Sequence, residues 1–253
     1  MIKKYTLLGD VHAEFFTLLQ AMKANKNTNA FIQCGDFGAF WDGKNPGFTG
    51  KLDRPVHFIP GNHDNYNFFD NEQNYKDWPK NLFYVPRNTH WENPSINFLG
   101  GAESIDKINR IPNVNFWDRE IPSYKEFNDF LELPAADTWV THTAPLSVVA
   151  TIGFYKSKDP VSHALQNIWE QTDHKPKLWF FGHFHGFLDK IINGTRFICL
   201  PCTHDHFFYD ANGHDVTIDG YPGVTVTYGD NGEILDVNVP PTKEKYPVRK
   251  WSY

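Results

Sequence analysis

The chain has 253 residues, 40% of them apolar and 21% charged, which is enough to bury one large core. A formal net charge of −6 argues against broad, unspecific nucleic-acid binding, which calls for basic surface. Three cysteines exclude a disulfide framework, no apolar stretch approaches the roughly 18 residues of a membrane span, and the opening "MIKKYTLLGD" lacks a secretory signal's apolar region. The expectation is a cytoplasmic protein with no membrane partner.

One local pattern recurs along the chain. A short apolar run, rich in β-branched or aromatic residues, ends at a polar cluster. "YTLL" (5–8) runs into "GDVH", "AFIQC" (30–34) into "GDFG", and "VHFIP" (56–60) into "GNHD". Further on, "TWV" (138–140) runs into "THTAP" and "LWFF" (178–181) into "GHFH". Such runs, bounded by glycine or proline, read as buried strands. Between them lie helical patterns. Phe15, Leu18, Leu19 and Met22 share one helix face. Ser123 with Glu126 forms a capping-box signature, and Ser162 precedes another helical run. Beyond residue 186 the chain reads as hairpins, with Asp230-Asn231-Gly232 as a turn. The Pro-rich, charged "PPTKEKYPVRKWSY" reads as a surface-draped or loose end. No linker divides the chain, so residues 1–253 read as a single α/β domain with a β-rich portion over 186–253.

Ligands of open α/β sheets gather beyond the carboxyl ends of strands. The five strand ends therefore point to one shared site. They supply Asp10, His12, Asp36, Asn62, His142, His183 and His185, with His63 beside them. Carboxylate and imidazole together suit borderline divalent metals such as manganese, iron, zinc or cobalt. Seven donors exceed one tetrahedral zinc and suit two ions sharing a carboxylate. His183 and His185, two apart, are expected to face the same way from an extended segment.

Each fragment alone is a common turn sequence. As an ordered set, "GDVH", "GDFG", "GNHD", "THT" and "GHFH" resemble the calcineurin-like metallophosphoesterase superfamily over roughly residues 5–190. The resemblance implies a four-layer α/β sandwich, two facing mixed β-sheets flanked by helices, with a dinuclear metal site at the strand ends. By that likeness Asp10, His12, Asp36 and His185 hold the first metal. Asp36 bridges to the second, which also takes Asn62, His142 and His183. The cofactors implied are two divalent ions, manganese first, with iron, zinc, cobalt and nickel as alternatives. Two such ions clamp the attacking and leaving oxygens of a phosphate ester and make hydroxide available at neutral pH. His63, beside a ligand but not one itself, is the candidate general acid. Asp64 either orients His63 or caps the loop, and it also counts among possible substrate contacts.

The pattern departs from the protein serine/threonine phosphatases. Ala39 and Phe40 stand where that branch has Asp and Arg, and Ala13 replaces a glycine. The intact "GHFH" is closer to the phosphodiesterases, nucleases and small phosphatases. "GGAESIDKINR" with "FWDREIPS" is similar to a group of small bacterial and phage members. Arg110 either meets a substrate phosphate or pairs with Asp106. Trp41, Trp91 and Trp117 either stack on a substrate ring or pack under loops. Cys199 and Cys202 read as buried thiols, His57 as a strand residue, and His204 and His206 as a surface loop. The expected substrate is a small phosphodiester, nucleotide or phosphomonoester, ahead of long nucleic acid. The alternatives are a catalytically silent scaffold of the same fold and a protein serine/threonine phosphatase.

Overall fold

The computed structural model of the protein describes residues 1–38, 51–69, 78–153, 157–203, 208–209, 215–218 and 223–246. In chain order its strands are β1 (Lys3–Leu8), β2 (Ala30–Gln33), β3 (Val56–Phe58), β4 (Leu82–Tyr84), β5 (Thr89–Glu92), β6 (Ser95–Leu99), β7 (Thr138–Thr141), β8 (Leu178–Phe181), β9 (Leu188–Ile192), β10 (Thr195–Cys199), β11 (Phe208–Tyr209), β12 (Asp215–Ile218), β13 (Val224–Tyr228), β14 (Ile234–Asn238) and β15 (Thr242–Tyr246). The helices are α1 (Phe15–Ala24), α2 (Tyr66–Phe69), α3 (Tyr124–Leu131), α4 (Leu146–Thr151) and α5 (Pro160–Gln171).

All five expected strands form, but they divide between two sheets. One sheet runs β14-β13-β1-β2-β3-β4 and the other β5-β6-β7-β8-β10-β9. In the first, β1 to β4 are parallel and β13 and β14 antiparallel; in the second, β6, β7, β8 and β10 are parallel and the edge strands β5 and β9 antiparallel. A smaller antiparallel sheet, β11-β12-β15, stands apart.

The period-two alternation of each strand builds the layers. Leu7, Ile32, Val140, Phe180 and Ile198 point into a core between the two sheets. Their neighbours Leu8 and Phe31 turn outward and meet Phe15, Leu18 and Met22 of α1. On the opposite outer face Trp139, Trp179, Phe181 and Phe197 meet Val148 of α4 and Leu165 and Trp169 of α5. Helix, sheet, sheet and helix thus form four layers. Both faces of the parallel strands are covered, which is why they read as continuous apolar runs. Trp91 belongs to this packing, against Tyr5, His57 and Phe98, and Trp117 is buried. Trp41, Ala39, Phe40, His204 and His206 lie outside the described residues.

Helix α1 buries the expected face, and the Ser123–Glu126 box caps α3 reciprocally. Helix α5 starts earlier than Ser162. Asp159 is its cap, accepting from the backbone of Val161 and Ser162, and Pro160 opens the first turn, where a missing N–H costs nothing. The hairpin β9–β10 turns on Asn193 and Gly194, both left-handed, and β13–β14 turns on Gly229–Gly232. The expected loose end is wrong over Thr242–Tyr246, which pair with β12 as β15. Residues 247–253 lie outside the described set. Among the described residues no helix is long and apolar enough to cross a membrane.

Candidate metal centre

The parallel strands β1, β2, β3, β7 and β8 end at one edge, where their five loops meet. Asp10 follows β1 and is fully buried. Its Oδ1 accepts from the His183 backbone at 3.0 Å. Its Oδ2 is also buried but has no well-aligned hydrogen bond, with His185 Nε2 at 3.1 Å and His12 Nε2 at 3.7 Å. The His12 and His185 Nε2 atoms are 3.0 Å apart. These side chains, with Cys202, form one cluster of converging donors.

Asp36, His142 and His183 form a second cluster, and Asp36 with His12 and His63 forms the connection. Asp36 Oδ1 accepts from the His63 backbone at 2.7 Å and lies 3.4 Å from His142 Nε2, while Oδ2 lies 3.8 Å from His12 Nε2. One carboxylate thus faces both groups. His142 Nδ1 donates to the Cys34 carbonyl at 2.7 Å, which fixes the ring with Nε2 directed into the cluster. Asn62 Oδ1 lies 3.0 Å from that Nε2. Its amide is oriented from behind: Asn62 Nδ2 donates to Ser104 Oγ at 3.3 Å, and Ser104 Oγ donates to Glu120 Oε2 at 2.7 Å.

The loops reach this proximity through unusual backbone. His12, Asp36, His183 and His185 all have φ between 48° and 67°. Left-handed backbone of this kind is rare outside glycine and clusters at functional sites. It also corrects the expectation for His183 and His185. Strand β8 stops at Phe181, so strand alternation does not align them. Two left-handed residues turn one imidazole toward His142 and the other toward Asp10. Gly61 is needed for space, because a Cβ there would run into the Asp36 carboxylate and backbone.

Electrostatics follows from burial against pairing. Burial alone would raise the Asp10 and Asp36 carboxyls, but the neighbouring imidazoles outweigh it and hold both well below the ordinary range. Burial alone would lower His142, yet Asp36 and Asp10 carry it up to about 9, and His12 similarly to about 8. His183, buried beside His142, falls to about 4.

Two of the expected contacts take a different form. Asp64 is fully buried, and its oxygens accept from the backbone of Phe37, Gly38 and Gly61 at 3.2, 2.7 and 2.8 Å. It ties two loops together. Burial pushes its carboxyl up to about 6. Arg110 does pair with Asp106 at 2.7 Å, and it also donates to His63 Nε2 at 2.7 Å. Sequence reasoning missed three features: this Arg110–His63 contact, the Glu120–Ser104 support, and Cys202. The last had a signal, since "RFIC" (196–199) running into "LPC" is a sixth strand end of the same kind.

The donors fit divalent cations. Buried carboxylates, imidazole lone pairs and an amide oxygen converge, and the orphaned Asp10 Oδ2 points into the first cluster. Both clusters open onto a cleft of about 1050 Å³ lined by Asn62, His63, Ser104, Arg110, Lys158 and His183, among others.

Comparison with known proteins agrees on the fold. GAP50, described as the anchor in the inner membrane complex of Plasmodium, superposes with a TM-score of 0.52 at 15% identity, over 98% of this chain and 91% of its own. Another solved structure gives 0.56 at 12% identity, over 96% and 99%. At such identities the likeness shows shared architecture alone. No curated protein matches the chain by sequence. The calcineurin-like phosphoesterase family matches residues 3–187, a span that contains every residue of the two clusters except Cys202. With metal-ligand clusters at the strand ends of a two-sheet sandwich, the chain belongs to the calcineurin-like phosphoesterase family, and its reaction class is metal-dependent phosphoester hydrolysis.

Proposed function

We propose that the protein hydrolyses a small phosphate ester, a nucleotide or other small phosphodiester or a phosphomonoester, in the cleft above the two clusters. The observation that carries this reading is the position of Asp36, which faces both clusters at the floor of a cleft large enough for a nucleotide-sized ligand. In this reading Asp10, His12, Asp36 and His185 hold one divalent ion, and Asp36, Asn62, His142 and His183 hold the other. The purely nitrogen and oxygen donors of the second position suit manganese. Bound there, the cations neutralise phosphate oxygens and acidify water.

The chain's own groups do the rest. Arg110 meets the incoming phosphate with a guanidinium already aimed at the cleft by Asp106. Its hydrogen bond to His63 Nε2 passes to the phosphate; the vacated Nε2 lone pair then takes up a proton from solvent, and the protonated ring hands it to the leaving oxygen. The Glu120–Ser104 pair keeps the Asn62 oxygen toward His142 and its amide nitrogen away.

The deciding experiment is hydrolysis of a chromogenic phosphomonoester and phosphodiester by metal-free protein, with and without added manganese. Turnover that depends on the metal is expected, and the faster ester assigns the substrate class. Protein that binds two ions per chain yet turns over neither ester, nor any of a panel of nucleotides, overturns the hydrolase reading.

A further inference from the structure

We infer that Cys202 is a direct ligand at the first metal position, making that position thiophilic while the second keeps only nitrogen and oxygen donors. This deepens the metal-centre reading and rests on it. The Cys202 sulfur lies within 4.8 Å of ligand atoms of Asp10, His12 and His185, all mutually that close. Cys202 is fully buried, and beside it Asp10 Oδ2 is a buried carboxylate oxygen without a well-aligned hydrogen bond. Two independent donors therefore converge from opposite loops on one small volume.

The fold builds this contact deliberately. Strand β10 pairs in parallel with β8, with Cys199 opposite Phe181, so both strands deliver their following residues to the same edge. The Leu200 backbone donates to the Phe181 carbonyl at 2.8 Å and the Thr203 backbone to the Asp10 carbonyl at 2.8 Å. These bonds bracket Cys202. Pro201, with its fixed φ, stiffens the approach. Gly9 permits it, because a Cβ on residue 9 would run into the carbonyls of Leu200 and Pro201. The segment that carries Cys202 is thus pressed against the Asp10 loop at the closest distance backbone allows.

A thiolate changes what the position selects. Sulfur is a soft ligand and favours zinc, iron and cobalt over manganese, whereas carboxylate and imidazole alone discriminate less. On binding, the thiol proton leaves to solvent and a metal–sulfur bond forms. The two positions then differ in chemistry within one site, with a thiophilic ion near His12 and His185 and a harder ion near Asn62 and His142.

The test is cobalt loading of the metal-free full chain, read by elemental analysis and near-ultraviolet absorption. Two cobalt ions per chain and a sulfur-to-cobalt charge-transfer band are expected. Cys202→Ser should lose the band, keep the second ion, and lose at least about tenfold in zinc affinity at one position, the scale of ligand-shell losses. Cys202→Ala serves as a second variant should the serine protein fold poorly. Two bound cobalt ions with no band in the wild-type protein overturn the role of Cys202 and leave the metal centre standing. A band that survives both substitutions also overturns it. Failure to bind cobalt at all overturns the metal-centre reading, and this inference with it.

Discussion

His63 sits between opposing influences. Burial pushes its pKa down to about 4, the Asp36 carboxylate works against that, and Arg110 reinforces it. The ring is therefore neutral before substrate arrives, with Nε2 accepting from Arg110. If that nitrogen carries the proton to the leaving group, His63→Ala should retain both metals and lose about 10²- to 10⁴-fold in turnover of esters with poor leaving groups. Esters with good leaving groups should suffer much less. Loss of a metal ion in that variant, read by elemental analysis, would make His63 a ligand and remove it from this role. Asp36 is the complementary case. It faces both clusters, so Asp36→Ala should empty both positions. Unchanged two-ion content would show that the carboxylate does not bridge. At this scale the sequence was legible where a residue's position follows from strand-end placement, as for Asp10, Asp36 and His142. It was not legible where the role comes from a partner distant in sequence. Nothing near Asp64 announces that its acceptors serve Phe37 and Gly38, and nothing near Arg110 announces His63.

Among the elements, α5 shows how a cap reaches the site. The Asp159 carboxylate accepts from Val161 and Ser162 at the helix start and also from the Glu103 backbone at 3.1 Å. Glu103 precedes Ser104, which steadies Asn62. Asp159→Ala should therefore cost about 1–2 kcal/mol of stability, seen as a lowered thermal midpoint. It should also reduce kcat/KM through the loosened loop, and Asp159→Asn should recover much of both. A stability loss with unchanged kcat/KM would confine Asp159 to the helix. Strands and helices were legible from apolar period and caps, since β1, β2, β3, β7, β8, α1 and α3 all fall where their patterns put them. The misplacements have physical reasons. Asp159 outcompetes Ser162 as a cap because it precedes Pro160, which can only open a helix. The terminal Thr242–Tyr246 gain a strand from β12, a partner that a charged, Pro-flanked segment does not advertise. His183 and His185 leave the strand early because left-handed backbone, invisible to side-chain pattern, sends them to separate clusters.

The whole molecule adds pH dependence remote from the metal centre. His57, in the third strand, stacks on Phe83 at 5.0 Å and meets the edge of Trp91 at 4.9 Å. Burial among these rings lowers its pKa from 6.5 to about 4. Between those values the unfolded chain binds a proton that the folded chain refuses, so stability falls as pH falls. Urea midpoints of wild type and His57→Phe should diverge in the variant's favour across that range. A constant gap would mean the ring is protonated in the folded protein too. The division into two sheets was also hidden in the sequence. Five similar strand ends say that one edge is shared, but only pairing shows that three belong to one sheet and two to the other.

That division has a mechanical consequence. Asp10, His12, Asp36 and Asn62 hang from one sheet, while His142, His183, His185 and Cys202 hang from the other. Each cluster draws donors from both, so any ion that joins them rivets the two sheets at their common edge. How the two halves of each cluster face one another then depends on how far apart the sheets stand, and the side chains packed between them, Phe98 and Phe180 among them, bear on that distance. The filling of the sandwich thus acts at a distance on the reaction site, and trimming Phe98 or Phe180 is expected to alter the geometry offered to phosphorus without touching a single ligand.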